Sequence, residues 1–125
     1  MMTIRFTDDH EWARDDDGII TVGITDFAQQ QLGEVVYVEL PDIDRVVAVG
    51  EEVAVVESVK AAGEVKSPVS GTVVAVNEDL NDSPELVNDD PSGNGWFYKI
   101  SPSGPDELNA LMDETAYEAM VSALA

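Results

Sequence analysis

Short runs rich in valine and isoleucine, separated by glycine, proline and acidic residues, make up most of the chain. Both residue types favour strands over helices, and together they greatly outnumber leucine. Residues 18–24 form one such run, bounded by glycines, and predict a short strand. Residues 34–40 predict another, because their side chains alternate until Pro41 interrupts the pattern. The alternating sets are Val36, Val38 and Leu40 against Val35, Tyr37 and Glu39.

The most regular part of the chain, residues 46–76, predicts four short strands joined by tight connections. The strand-like runs are residues 46–49, 53–59, 64–66 and 71–76. Connections this short demand hairpins or sharp corners. Two valine-rich strand pairs lie on either side of Lys60, which suggests two similar sheets that face each other. With a last strand at residues 96–100, the pattern predicts a mainly β fold class, a flattened barrel or sandwich.

Helical patterns occur after the first strand and near the C-terminus. Thr25 or Asp26 can cap a short helix over residues 26–32, with Gly33 as its stop. Residues 103–107, where two acids follow a proline, are typical of a helix start. Two apolar stripes at helical spacing come next, Leu108, Leu111 and Met112, then Tyr117, Met120, Val121 and Leu124. The second stripe is expected to cover the β core.

These elements predict one domain without a long linker. The chain has 125 residues, the size of an ordinary domain, and 44% of them are hydrophobic, enough for one core. We therefore expect a single domain over residues 1–125, with a β core at about 7–100 and a helical segment at about 104–124.

Charge excludes several classes of function. The chain has 26 acidic residues against 6 basic ones, a net charge of −20, so nucleic acids and anionic membranes would repel it. No cysteine occurs, which excludes disulfides, thiolate metal sites and a cysteine nucleophile. No apolar run reaches the length of a signal peptide or a membrane span, so we expect a cytoplasmic protein or a mature form that has already been processed.

Few residues of the sequence indicate a catalytic site. His10 is the only histidine, no nucleophile-elbow pattern accompanies it, and a zinc site would lack partners. A lone histidine beside an aromatic residue is usually structural. The acidic runs, such as residues 15–17, lack the spacing of a calcium loop and are more typical of solvated turns.

Lys60 is the residue that suggests a function. Only three lysines occur, and Lys66 and Lys99 lie inside strand-like runs. Lys60 lies at the predicted hairpin tip beside small residues, which leave its amine sterically open. The residues of the turn alone do not distinguish Lys60 from an ordinary exposed lysine. Two near-symmetric strand pairs around one lysine, however, are the layout of a carrier whose lysine bears a swinging arm.

The chain resembles the H-protein family of the glycine cleavage system, whose members are lipoyl carriers. The resemblance runs from about residue 7 to residue 100, and the helical tail also matches. Many motifs agree in order and spacing, which is specific evidence. The matching stretches are His10-Glu11-Trp12, Val22-Gly23-Ile24-Thr25, Ala28-Gln29, Leu32 to Pro41, Glu57-Ser58-Val59-Lys60-Ala61, Ser67-Pro68-Val69-Ser70-Gly71, Val76-Asn77, Pro84 to Asn88, Asp90-Pro91 and Gly95-Trp96.

The resemblance implies a lipoyl-domain-like barrel-sandwich hybrid and a non-enzymatic carrier with lipoic acid joined to Lys60. Glu57 and Gly71 would matter for recognition by the lipoylating enzyme. The protein would carry the aminomethyl group of glycine. The implied partners are a pyridoxal-phosphate glycine decarboxylase, a tetrahydrofolate-dependent aminomethyltransferase, a flavin-dependent dihydrolipoamide dehydrogenase and the lipoylating enzyme. A monomer is expected.

The resemblance also implies a cleft that shelters the loaded arm, whose amine should be cationic. Asp9, His10, Glu11 and Glu64 would line this cleft, with Glu11 the best candidate. The family commonly has Ser where Asp9 stands and Asp where Glu64 stands. Both differences keep or add negative charge, so a cation should still be held. No metal is expected.

Other carriers remain open as alternatives. Lipoyl domains of 2-oxoacid dehydrogenases typically have Asp before the lysine, where Val59 stands here, and they lack His10-Glu11-Trp12 and the tail. Biotin carriers usually have methionines flanking the lysine, whereas this chain has Val59 and Ala61. Service as a lipoyl donor to other enzymes and an acidic interaction module without a carrier role are the remaining alternatives.

Most of the charge is not explained by a carrier role. A chain with this acid excess should repel itself at low salt, and at molar salt the screening length falls to about 3 Å. The charge therefore predicts that the protein comes from an organism with a high-salt cytoplasm, such as a halophilic archaeon.

Overall fold

A computed structural model describes residues 3–104 and 106–124. The strands are β1 (Thr3–Phe6), β2 (Glu11–Asp16), β3 (Ile19–Ile24), β4 (Val35–Glu39), β5 (Val46–Val47), β6 (Glu52–Ser58), β7 (Ala62–Lys66), β8 (Gly71–Val76) and β9 (Tyr98–Pro102). The helices are α1 (Asp26–Leu32), α2 (Asp79–Asp82), α3 (Leu86–Asp89) and α4 (Glu114–Leu124), with a 3-10 turn at Leu108–Ala110. Within the described residues, a six-stranded sheet has the order β1-β2-β3-β9-β8-β5, and a three-stranded sheet has the order β4-β6-β7. Both sheets are antiparallel throughout.

The two strand pairs around Lys60 are divided between the sheets. β5 pairs with β8 in the larger sheet, and β6 pairs with β7 in the smaller one. Buried valines line both faces between them, among them Val47, Val56, Val65 and Val73. The predicted mainly β fold with two facing sheets is therefore confirmed, and β6 and β7 form the hairpin with Lys60 in its connection.

β4 departs from the simple alternation that the sequence predicted. Val35 and Val38 are buried, whereas Val36 and Tyr37 are both about half exposed. The pairing register with β6 shifts between Val35 and Tyr37, so one extra residue is accommodated there. A β-bulge of this kind reverses the inside–outside order of the residues that follow.

The last strand lies two residues later than predicted, at Tyr98–Pro102 rather than at residues 96–100. The N–H of Trp96 donates to the carbonyl of Gly93 at 3.3 Å, so this residue belongs to the preceding turn. The β sheet also begins before residue 7, because β1 pairs with β2 from Thr3 onward.

The predicted helix start at residues 103–107 is followed by only one 3-10 turn, Leu108–Ala110, and Pro105 itself lies outside the described residues. The Glu107 carboxylate accepts hydrogen bonds from the N–H and hydroxyl of Ser70, at 2.9 and 3.0 Å. These bonds hold the segment against the β core as a loop and a single 3-10 turn. Met112 then exchanges two backbone hydrogen bonds with Phe6, and only afterwards does α4 begin.

α4 contacts the β core mainly through one residue of the predicted stripe. Tyr117 is buried, Met120 and Val121 are half-buried, and Leu124 is 59% exposed. The Tyr117 ring stacks on Phe6 with centroids 4.6 Å apart. Its hydroxyl lies 2.6 Å from Thr25 Oγ1 and 2.8 Å from His10 Nδ1.

Replacing Tyr117 with phenylalanine tests this attachment. The ring can still stack on Phe6, but Thr25 Oγ1 and His10 Nδ1 lose their shared partner. We expect the free energy of unfolding to fall by about 1–2 kcal/mol, the net contribution of the two hydrogen bonds that are lost. Urea denaturation gives the value. Tyr37→Phe is the control, because Tyr37 is 48% exposed and should cost nothing measurable; equal stability of both variants would contradict the attachment.

Few of the acidic side chains have a cationic partner. Among the described residues, three ion pairs form, Arg14–Asp16, Arg45–Glu51 and Lys66–Asp9. All of them are partly exposed, so each is worth little. Most of the acidic side chains, which give the chain its net charge of −20, therefore repel one another.

We expect the melting temperature, followed by circular dichroism, to rise from dilute buffer to molar potassium chloride, because salt screens this repulsion. An unchanged melting temperature would contradict the predicted salt adaptation.

Candidate functional site

The Lys60 turn is closed by the side chain of Ser58. The Ser58 hydroxyl accepts hydrogen bonds from the backbone N–H of Lys60 at 3.3 Å and of Ala61 at 3.0 Å, and it donates to the Ala61 carbonyl at 3.1 Å. The Ser58 N–H donates to the same carbonyl at 2.7 Å. The turn geometry therefore depends on Ser58 and on backbone atoms, and the Lys60 side chain takes no part in it.

The Lys60 side chain extends from a fixed base and passes close to Gly33. The N–H of Val59 donates to the Glu34 carbonyl at 3.0 Å, which ties the turn to the start of β4. A Cβ atom at Gly33 would lie 3.2 Å from the Lys60 Cε, so this glycine leaves room for the lysine stem. Lys60 is exposed, and its amine forms no ion pair with any residue of the described chain. The amine is thus open to a large modifying enzyme.

The two predicted recognition residues occupy different environments. Glu57 is exposed near the end of β6, opposite Tyr37 on one side and Ala62 on the other. Gly71 is buried at the start of β8, between β5 and β9. A Cβ atom there would overlap the Ser101 carbonyl oxygen and lie 2.6 Å from Ile100 Cγ2. The close backbone approach at Gly71 is therefore made by this chain's own β9.

A cavity of about 410 Å³ opens beside the far end of β7. Asp9, Glu11 and Lys66 are the residues of this lining that carry the candidate chemistry. The remaining lining residues are Phe6, Thr7, Asp8, Val49, Gly50, Ser67, Pro68, Ala110, Leu111 and Met112. Four separate parts of the chain thus meet there, and both charged and apolar residues line the cavity.

Glu11 is the most enclosed ionisable group of the cavity. It is 3% exposed, and its Oε1 accepts a hydrogen bond from Thr7 Oγ1 at 2.8 Å, while Oε2 accepts one from the Lys66 N–H at 2.9 Å. Burial raises the pKa of Glu11 above its ordinary value, and the hydrogen bonds from Lys66 and Thr7 oppose that rise. A cation that entered the cavity would relieve this cost.

The other two predicted cleft residues lie elsewhere. His10, in a left-handed conformation with φ 70°, packs on Phe27 and Tyr117 rather than on the cavity. Burial lowers the pKa of His10, and the neighbouring acids Asp9 and Asp8 oppose that change. Glu64 lines a second pocket of about 330 Å³ with Val55, Ala62 and Gly63. The structure therefore brings Asp9 and Glu11 together, but not His10 or Glu64 with them.

The raised pKa of Glu11 predicts a pH dependence of stability. Because the folded-state pKa lies above the unfolded value of about 4.5, this group favours the folded state most at low pH. Its contribution is lost as the pH rises through the folded-state pKa. Glu11→Gln removes the titration, so the free energy of unfolding of the wild type minus that of Glu11→Gln should fall from pH 4.5 upward. Urea denaturation over a pH series measures this difference; a flat difference would contradict the buried-charge account.

Sequence reasoning missed residues that the structure places in supporting roles. Ser58 was part of a matched motif, but its closure of the turn was not foreseen. Asn88 donates to the Gly33 carbonyl and accepts from the Val35 N–H, both at 2.8 Å, and so holds the loop before β4. Lys66, which the sequence places inside a strand-like run, also lines the cavity. The sequence signal for this position is Pro68, two residues later, where the strand must end.

Comparisons with known proteins agree with this geometry. The family model "Glycine cleavage H-protein" matches residues 4–124. Glycine cleavage system H proteins of Parvibaculum lavamentivorans and Methylocella silvestris are 56% and 58% identical, covering 99% and 100% of both chains. A crystal structure of the H protein from Mycobacterium marinum superposes with a TM-score of 0.87 at 33% identity, covering 96% of this chain and 97% of that one. No described helix is long and apolar enough to cross a membrane. The resemblance noted in the sequence is thereby confirmed, and the chain belongs to the glycine cleavage H-protein family.

Proposed function

We propose that this chain is the lipoyl-bearing carrier of a glycine cleavage system, with the lipoyl group in amide linkage to Lys60. The observation that carries the proposal is the Lys60 turn, an exposed amine on a backbone that is hydrogen-bonded independently of the lysine side chain. Acylating that amine removes no contact that the fold uses. The site therefore fits a covalently attached acyl group.

The lipoyl group, when attached, supplies a disulfide that accepts the aminomethyl unit and two electrons. The chain has no cysteine that could supply such a disulfide itself. The chain supplies presentation and shelter. Ser58 holds the turn in one geometry, and Gly33 gives the lysine stem space to lie against the protein.

The cavity of Asp9 and Glu11 is our candidate shelter for the cationic end of a loaded arm. β7 leads from the Lys60 turn to this cavity, and at about 3.3 Å per residue its five residues extend the surface by about 13 Å. That length is comparable with a lysine side chain elongated by a medium-chain acyl group. The two carboxylates offer negative charge, and the apolar lining limits the access of water that would hydrolyse the cargo.

The partners are proposed from the same family. They are a pyridoxal-phosphate glycine decarboxylase, a tetrahydrofolate-dependent aminomethyltransferase, a flavin-dependent dihydrolipoamide dehydrogenase and a lipoylating enzyme. Glu34 and Glu57 are exposed near the turn. Basic docking surfaces on the partner enzymes would therefore complement the charge around Lys60.

Mass spectrometry and an exchange assay test the proposal. After co-expression with a lipoylating enzyme, the intact protein should gain one lipoyl group. The modified protein, unlike the unmodified one, should then support exchange of labelled bicarbonate into glycine by the glycine decarboxylase. A protein that gains no lipoyl mass, or a lipoylated protein that supports no exchange, would overturn it.

A further inference from the structure

The proposed shelter already contains a positive charge of the chain itself. The Nζ atom of Lys66 lies 3.6 Å from Asp9 Oδ2, and both residues line the cavity. The backbone N–H of the same residue donates to Glu11 Oε2 at 2.9 Å. Lys66 thus contacts both carboxylates that would receive a cationic cargo, one through its side chain and one through its backbone.

We propose that Lys66 is an internal counter-ion that holds Asp9 while the cavity is empty and is displaced when a cationic cargo enters. This inference rests on the proposed carrier function. Lys66 competes with the cargo for one carboxylate, so it is a specificity-determining residue that touches no reacting atom.

The Lys66–Asp9 pair is suited to displacement. The side chains of Lys66 and Asp9 are 41% and 53% exposed, and their charged atoms are separated by more than a close hydrogen-bond distance. Exposed pairs of this kind contribute little free energy and are screened by salt. The Lys66 backbone bond to Glu11 is buried on the carboxylate side and can persist while the side chain moves.

The displaced ammonium has another acidic partner close by. Glu64 precedes Lys66 by two positions in β7, so both side chains lie on the same face of the strand. A hydrogen bond with Glu52 raises the pKa of Glu64, and the charge of Lys66 opposes that rise. The Lys66 ammonium already acts on these two crowded carboxylates, so it keeps acidic neighbours when it leaves Asp9.

This exchange makes the cavity selective for charge. An uncharged arm brings no replacement for the Lys66 ammonium and leaves Asp9 paired. An arm that ends in a protonated amine can take over Asp9, and Lys66 returns once the cargo has been passed on. The lysine should therefore weaken retention of the cargo and assist its release to the next enzyme.

Quantitative acetylation of lysine amines, read by peptide mass spectrometry, tests the displacement directly. The lipoylated protein is labelled before and after loading with glycine and glycine decarboxylase, and the intact mass establishes lipoylation and loading first. Reactivity of Lys66 should rise about two- to fivefold on loading, in keeping with a weak exposed pair. Lys99 is the internal control, since its amine lies 5.0 Å from the Trp96 ring centroid and outside the cavity lining. Unchanged or reduced reactivity of Lys66 in protein of proven loading would overturn the inference and leave the carrier function intact.

Lys66→Met gives a second measurement, with Lys99→Met as a control of equal charge change. The backbone N–H to Glu11 remains in the Lys66 variant, so folding should be kept. The loaded Lys66→Met protein should release ammonia by hydrolysis about two- to fivefold more slowly than wild type, and Lys99→Met should match wild type. Faster or equal release from Lys66→Met would overturn the inference; failure of the wild type to become lipoylated would instead count against the proposed function.

Discussion

Replacing Lys60 with arginine is expected to abolish lipoyl attachment completely. Amide formation needs a primary amine that can lose a proton and attack an activated acyl group. The guanidinium of arginine remains protonated and is not such a nucleophile. Arginine keeps the positive charge and a long flexible stem, so electrostatic docking near Glu34 and Glu57 should be little changed.

The fold of the Lys60→Arg variant should be unaffected. Ser58 closes the turn through the backbone atoms of residues 60 and 61, and the Lys60 side chain is exposed. Circular dichroism should therefore match the wild type while intact mass shows no added lipoyl group. Lys66→Arg and Lys99→Arg are the controls, and both should be lipoylated as fully as the wild type. A lipoyl group on the Lys60→Arg protein would place the attachment site elsewhere.

The hairpin that carries Lys60 was predictable because its signals are local. Valine-rich runs on both sides and a connection of few residues allow only a tight turn between antiparallel strands. The same holds for α1, whose N-cap Thr25 accepts a hydrogen bond from the Ala28 N–H and whose end is marked by Gly33. Patterns confined to about ten residues therefore predicted α1 with its observed bounds and the two hairpin strands to within two residues.

The cavity could not be predicted from such patterns, because distant segments form it. Residues 6–11, 49–50, 66–68 and 110–112 meet there through the packing of the tail against the sheet edge. The division of the tail into a 3-10 turn and α4 could not be predicted for the same reason, since the bonds of Glu107 to Ser70 form between distant segments. The β4 bulge likewise follows from its pairing with β6 and leaves no mark in the alternation itself.

Replacing Gly71 with alanine is expected to destabilise the protein by about 3 kcal/mol or more, at the upper end of the cost of overpacking. The added Cβ would overlap the Ser101 carbonyl oxygen and lie 2.6 Å from Ile100 Cγ2 and 2.9 Å from Pro102 Cα. Two of these three atoms belong to the backbone of β9, which pairs with β8 at this position. Relief would require the two strands to separate, and β5 confines Gly71 from the other side.

Gly63→Ala is the matched control for this prediction. Gly63 lies in β7 close to the Lys60 turn, but a Cβ there would meet only ordinary contacts, 3.6 Å from Leu32 Cδ2 and 3.7 Å from Val56 Cγ1. Its stability should change by less than about 1 kcal/mol. Urea denaturation measures both variants, and intact mass after co-expression measures their lipoylation. If Gly71→Ala is unstable and poorly modified while Gly63→Ala is neither, the demand for glycine at position 71 comes from β8–β9 packing, and poor modification follows from unfolding. If Gly71→Ala is instead as stable as the wild type and still escapes lipoylation, the packing account is wrong, and the modifying enzyme reads this glycine directly.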